Sequence, residues 1–131
     1  MKRETPDEAK LLKAIRRRAR VATRTEPVEL TPGEVRAVLD GTKTQIRLPW
    51  GNPGTVGDRL WVKERGYRGK RTRLLLKILK VRQERVQDMT EEDARAEGVE
   101  SRDAFARLWK RTWDANPWVF CVEFRLLKRR H

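Results

Sequence analysis

Apolar residues in this chain of 131 come only in short runs. The longest, such as Leu74 to Leu76 and Trp118 to Val122, fall far below the roughly 20 residues that a membrane-crossing helix needs. Any core must therefore be assembled from separated elements. With 37% hydrophobic residues and five tryptophans there is material for one compact core, so the expectation is a single folded domain and not a disordered chain. The N-terminus carries charge where a signal peptide needs an apolar segment, which predicts a cytoplasmic protein with no membrane partner.

Turn and capping residues divide the chain into elements. Val28 to Leu30 is short and extended. Thr31-Pro32-Gly33-Glu34 starts a helix with a capping hydroxyl, a proline in the first turn and a glutamate that completes a capping box. That helix runs to about Leu39 with Val35, Val38 and Leu39 inward, and Asp40-Gly41 ends it in a left-handed cap. Gly51-Asn52-Pro53-Gly54 is a loop, and Gly57-Asp58 turns into a strand from Arg59 to Glu64.

A second strand region spans Thr72 to about Val86, where Leu74, Leu76 and Ile78 alternate with Leu75, Lys77 and Leu79. Thr90 before three acidic residues starts a two-turn helix that stops at Gly98. Ser101 caps another helix through Phe105, Leu108, Trp109 and Thr112, whose first three side chains read as core. Asn116-Pro117 breaks it, and Trp118 to Leu126 forms a strand that ends in a basic tail, Lys128 to His131. The order predicts an α+β fold, with a small mixed or antiparallel sheet curled into a barrel.

Charge points to a partner. Thirty-two Lys and Arg against 19 Asp and Glu leave a net charge of +13, and neutralising phosphates with Lys and Arg supplies most sequence-independent affinity for nucleic acid. Six of the thirteen excess charges fall in the first 25 residues, read as a basic N-terminal arm ahead of a domain over 26–131. A helix from about Pro6 to Val21 would place Leu11, Leu12, Ile15 and Ala19 near one side and Arg16, Arg17 and Arg20 elsewhere, with Arg18 in the same basic run. The arm reads equally as a nucleic-acid contact and as a solvated tail.

One cysteine, Cys121, and one histidine, His131, cannot build an internal disulfide, a His/Cys zinc site or a Cys-His or Ser-His-Asp catalytic set. Neither metal nor cofactor is expected. Chemistry falls instead to Lys43, in the polar stretch Thr42 to Arg47, and to Glu97, a carboxylate at a helix C-terminus where the dipole disfavours it. Their plain alternatives are an ordinary surface lysine and one more solvated glutamate. Trp50, Trp61 and Tyr67 lie in or beside glycine-rich loops among Arg47, Arg68 and Lys70, which suits base stacking with phosphate contact. Trp61, on an alternating strand, is expected in the core.

Three segments carry a family resemblance: Leu30 to Arg47 with Gly41-Thr42-Lys43-Thr44-Gln45, then Gly57 to Val62, then Asp88 to Val99. With Asn116 to Phe124 as a closing strand, the chain over about residues 28–127 resembles the ASCH (activating signal cointegrator homology) domain family, especially its phage-type members. The resemblance implies a PUA-like β-barrel with flanking helices and a cleft whose wall carries the Gly-x-Lys-Thr segment; with the loop aromatics and the charge, the expected cleft is bordered by Lys43, Arg47, Trp50 and Glu97. It implies binding of RNA or other nucleic acid, in a cleft for a nucleotide or RNA segment, and for some members RNA processing.

Other relatives are amidohydrolases acting on N4-acetylcytidine, a modified nucleoside, through a lysine, a threonine three residues later and a glutamate. The lysine matches Lys43 and the glutamate matches Glu97, but the threonine position holds Ile46. That chemistry would need Thr44 or Thr42 as nucleophile, or a water activated by Lys43 and Glu97. A third reading is a phage or mobile-element accessory protein whose arm docks a protein partner.

Overall fold

The computed structural model describes residues 27–49, 51–65 and 73–130. The expected N-terminal arm, with Arg16, Arg17, Arg18 and Arg20, lies outside the described residues, as do Trp50, Tyr67, Arg68 and Lys70. The elements run β1 (Val28–Leu30), α1 (Pro32–Asp40), β2 (Gln45–Leu48), β3 (Arg59–Glu64), β4 (Arg73–Arg85), a 3-10 turn (Val86–Asp88), α2 (Glu91–Ala96), α3 (Arg102–Trp109), α4 (Arg111–Ala115) and β5 (Trp118–Arg130). Among the described residues no helix is long and apolar enough to cross a membrane.

The five strands form one mixed sheet in the order β1-β3-β4-β5-β2. The β1–β3 pair is parallel and the other three are antiparallel. Although β1 and β2 lie at opposite edges, Val28 and Leu30 share one buried cluster with Ile46 and Leu48. The sheet is therefore curled into a half-barrel around that cluster, and α1 adds Val35 and Val38 to it. Curling has a local cause. The long β4–β5 ribbon shifts register twice, leaving Leu127 as an extra residue on β5 and Leu79 as one on β4, and bulges bend and twist a strand. Both extra leucines are exposed.

Local signals hold at the helix starts. Thr31 and Glu34 form the reciprocal capping box of α1, Thr90 and Asp93 that of α2, and Ser101 caps α3. Gly41, at φ 86°, takes the left-handed position that ends α1.

Four expectations are corrected. The helix from Ser101 does not run through Thr112: it breaks at Lys110 (φ 47°) into α3 and α4, and Trp113 packs edge-on against Phe105 at 6.1 Å between ring centroids. Leu108 is not core but 66% exposed, and Trp109 is half-buried, stacked on Phe105 at 4.8 Å. The basic tail is not a tail, because Lys128 to Arg130 continue β5 and pair with Leu75 to Arg73 of β4. Trp61, expected in the core, is half-buried on the face opposite Leu60 and Val62.

A second apolar cluster, Val86, Met89, Ala94, Phe105 and Val119, joins α2 and α3 to the end of the sheet where β4 stops and β5 starts. Lys43, Gln45, Arg47 and Glu97 are buried polar residues outside both clusters.

Candidate functional site

Strand alternation sorts β2 into two faces. Ile46 and Leu48 enter the first core cluster, so Gln45 and Arg47 point the other way, yet all four are buried. Lys43 lies two residues before Gln45. Its backbone N–H donates to Ala37 O at 3.0 Å and that of Thr44 to Ala96 O at 2.8 Å, pinning this segment between the C-terminal ends of α1 and α2. Glu97 caps α2, and Gly98 follows at φ 89°. A Cβ on Gly98 would lie 3.3 Å from the Lys43 Cβ, so only glycine allows this approach with that backbone.

The segment brings Lys43, Arg47 and Glu97 together. Lys43 Nζ donates to Glu97 O at 2.9 Å and to Glu97 Oε1 at 3.3 Å, and Glu34 Oε2 lies 3.9 Å away. Arg47 donates to Glu97 Oε2 at 3.3 Å, and also to Gln45 Oε1 and Glu84 Oε1, with Asp93 Oδ2 at 3.4 Å. Arg82 donates to Asp93 Oδ1 at 2.9 Å and Glu84 Oε1 at 3.3 Å, and Gln45 Nε2 donates to Asp93 Oδ1 at 3.3 Å. Three cations, Lys43, Arg47 and Arg82, thus face Glu84, Asp93 and Glu97, with Glu34 at 3.9 Å from Lys43 and Glu123 at 3.9 Å from Arg82. Buried charges need such pairing, because desolvation of each ion costs several kcal/mol.

Lys43 is 4% and Glu97 6% exposed, so neither is the ordinary surface residue that its type suggests. Burial pushes the Glu97 carboxyl above its usual range, against the downward pull of Lys43 and Arg47. Asp93 goes the other way. Burial raises it, but the Thr90 backbone N–H, Gln45 and Arg82 outweigh that and hold it down at about 2. Burial pushes the Cys121 thiol up to about 12 although Arg47 and Arg82 pull it down.

A cavity of about 560 Å³ opens at this cluster. It lies along the seam where β1 and β2 face each other without pairing. Val28 and Leu30 line one side, Ile46 and Leu48 another, and Phe105, Leu108 and Trp109 of α3 a third; Lys43, Arg47 and Glu97 supply its buried charges, and Glu29 and Glu34 are also among its lining residues. Thr44 is exposed and is not among the lining residues, whereas Ile46 is. Trp50, expected at its border, lies outside the described residues.

Sequence reasoning missed Gln45, Arg82 and Glu84 as members of the charge cluster and read Asp93 only as part of a cap. The spacing of Arg82 and Glu84, two apart on a strand, was a signal that they share a face. Phe105 and Trp109 were read as core alone, and they also wall the cavity.

No protein-family model and no curated protein matches the chain. Its fold resembles that in a crystal structure of the protein EF3133 of Enterococcus faecalis V583, from the family DUF984. The TM-score is 0.51 at 14% sequence identity, over 91% of this chain and 86% of that one. At that identity the likeness concerns the fold alone, an α+β half-barrel.

Proposed function

We propose that the chain is a PUA-like, ASCH-type RNA-binding domain whose seam cavity receives one nucleotide by its base. The observation that carries this reading is the pairing of mostly apolar walls with a charge-balanced floor. Both cations in the cavity, Lys43 and Arg47, already engage Glu97, and Glu34, 3.9 Å from Lys43, adds negative charge to the lining. A phosphate would meet more carboxylates there than free cations. A neutral base loses far less than a charged phosphate on leaving water, and its edge offers donors to Glu97 and acceptors to Lys43. Lys43 has a third N–H beyond the two that Glu97 accepts.

Titration calorimetry with the four ribonucleosides, N4-acetylcytidine and inorganic phosphate tests the reading. Binding of at least one nucleoside that inorganic phosphate does not displace, and loss of the nucleoside heat in Lys43→Ala, are expected. Phosphate binding without nucleoside binding would refute it.

The raised Glu97 carboxyl favours a second reading, an amidohydrolase acting on an N4-acetylcytidine-type nucleoside. Glu97 would take a proton from water as the oxygen adds to the amide carbonyl, with the Lys43 ammonium facing the developing oxyanion. The C–N bond then breaks, and Glu97 returns the proton to the departing amine. Water is the nucleophile here because Thr44 does not line the cavity. Acetate release from N4-acetylcytidine, abolished in Glu97→Gln, is the expected result. A nucleoside that binds and is recovered unchanged would leave the binding reading alone.

A further inference from the structure

The outer face of β3, β4 and β5 carries cations directly opposite one another. Arg59 of β3 faces Lys77 of β4, which faces Arg125 of β5. In the next row Trp61 faces Leu75, which faces Lys128, and in the third Lys63 faces Arg73. Leu60 and Val62, and Leu74, Leu76 and Ile78, are the inward residues of these strands, so the cationic rows belong to the opposite face. Arg59, Arg73, Arg125 and Lys128 are exposed, and Lys77 is partly so.

Like charges directly opposite on paired strands destabilise a sheet, and carboxylates normally intervene. Here they do not. Among the described residues no carboxylate pairs with Arg59, Arg73, Lys77, Arg125 or Lys128; the acids of this face are spent at its margins, Glu29 on Lys63 and Arg65, and Glu123 on Lys80 and Arg82. Neighbouring strands are about 4.8 Å apart and same-face residues about 6.8 Å apart along a strand. The cations therefore stand within one Debye length, about 10 Å at 0.1 M salt, and act as one field.

We propose that this face is a binding track for the phosphodiester backbone of single-stranded nucleic acid, separate from the seam cavity. Trp61, half-buried, stands between Arg59 and Lys63 on β3, with the buried Leu75 and the exposed Lys128 completing its row. Cation-lined grooves with interspersed aromatics are the arrangement that holds a strand without reading its sequence. A sheet face held apart by its own repulsion gains most from a polyanion, which removes that repulsion on binding.

The test compares two variants of equal charge. One carries Arg59→Gln, Lys77→Gln, Arg125→Gln and Lys128→Gln. The other carries Arg36→Gln, Arg95→Gln, Arg107→Gln and Arg111→Gln, which remove four exposed helix arginines. Fluorescence anisotropy of a labelled oligouridylate of about 12 nucleotides, a length within the usual site sizes, is read across a salt series.

Each lost phosphate contact removes about 0.7 from the slope of log K against log salt, so the sheet variant should lose nearly 3 and the helix variant much less. The wild-type advantage over the sheet variant should then shrink about 50-fold between about 50 and 200 mM salt. Thermal unfolding of the sheet variant should occur no lower than that of the wild type, which separates lost binding from lost fold. Equal slope changes in the two variants would overturn the proposal, since net charge alone would then explain binding. So would an unchanged RNA slope with loss of binding to phosphatidylserine vesicles, which would assign the face to a membrane. Nucleoside heats at the seam cavity should be unaffected in the sheet variant, so this track and the cavity can fail independently.

Discussion

Replacing Glu97 by glutamine, with Lys43→Met as the partner substitution, tests whether the buried charges form one unit. In the wild type Glu97 is the anion shared by Lys43 and Arg47, at 3.3 Å from each. Breaking a buried pair costs about 3–5 kcal/mol, because a charge is left in the interior without its partner. Two features place Glu97→Gln at the low end, near 3 kcal/mol by that scale. Lys43 keeps the Glu97 backbone carbonyl at 2.9 Å, and Arg47 keeps Glu84 and Asp93. Lys43→Met should cost a similar amount, since Glu97 then has Arg47 alone.

The double variant removes both charges together and should cost about 2 kcal/mol less than the sum of the single losses, within the range seen for contacting pairs. Urea unfolding followed by tryptophan fluorescence at pH 7 measures all four proteins, and each single loss of that size should lower Tm by about 10 °C. Because burial raises the Glu97 carboxyl, the coupling should grow as pH rises and more of that carboxyl ionises. Additivity within about 0.5 kcal/mol would refute the reasoning and make the two residues independent.

Asp93 gives a pH test. Its folded pKa of about 2 lies below its ordinary value of 3.8, so its stabilisation is complete above 3.8 and is lost as pH falls toward 2. At this partly exposed carboxyl that amounts to about 1 kcal/mol after solvent screening, and acid unfolding of Asp93→Asn should lack that part of the slope. Gly98→Ala should lose at least about 1 kcal/mol from its left-handed backbone, and its Cβ, 3.3 Å from that of Lys43, should weaken nucleoside binding as well; unchanged calorimetry would refute the second part. Cys121, buried and raised to about 12, should react with a thiol reagent at pH 8 only as fast as the chain opens, and labelling at the rate of a free thiol would refute its burial.

Much of the fold was legible because its signals are local. The caps at Thr31, Thr90 and Ser101 act within three residues, as does the left-handed turn at Gly41, and alternation in β4 states its own period. Each can be read with a window of a few positions. The break at Lys110 was not legible, because the reason for it is the packing of Trp113 on Phe105, which the helical spacing of Phe105, Leu108 and Trp109 does not contain. The strand pairing of Lys128 to Arg130 was hidden by composition: a run of cations reads as a tail unless its partner strand is known.

For the site, sequence by itself singled out Lys43 and Glu97 and marked Glu97 as an acid at the wrong end of a helix. Whether they were buried and paired was beyond it. Lys43 and Glu97 are 54 positions apart and meet only because Ala37 and Ala96 anchor the same short segment from two different helices. The rows of facing cations on the outer sheet likewise exist only through register, which joins Arg59, Lys77 and Arg125 from three strands. Sequence fixes charge, caps and period, because these are properties of neighbours along the chain. Burial, pairing and pKa belong to neighbours in space, and only the folded sheet decides those.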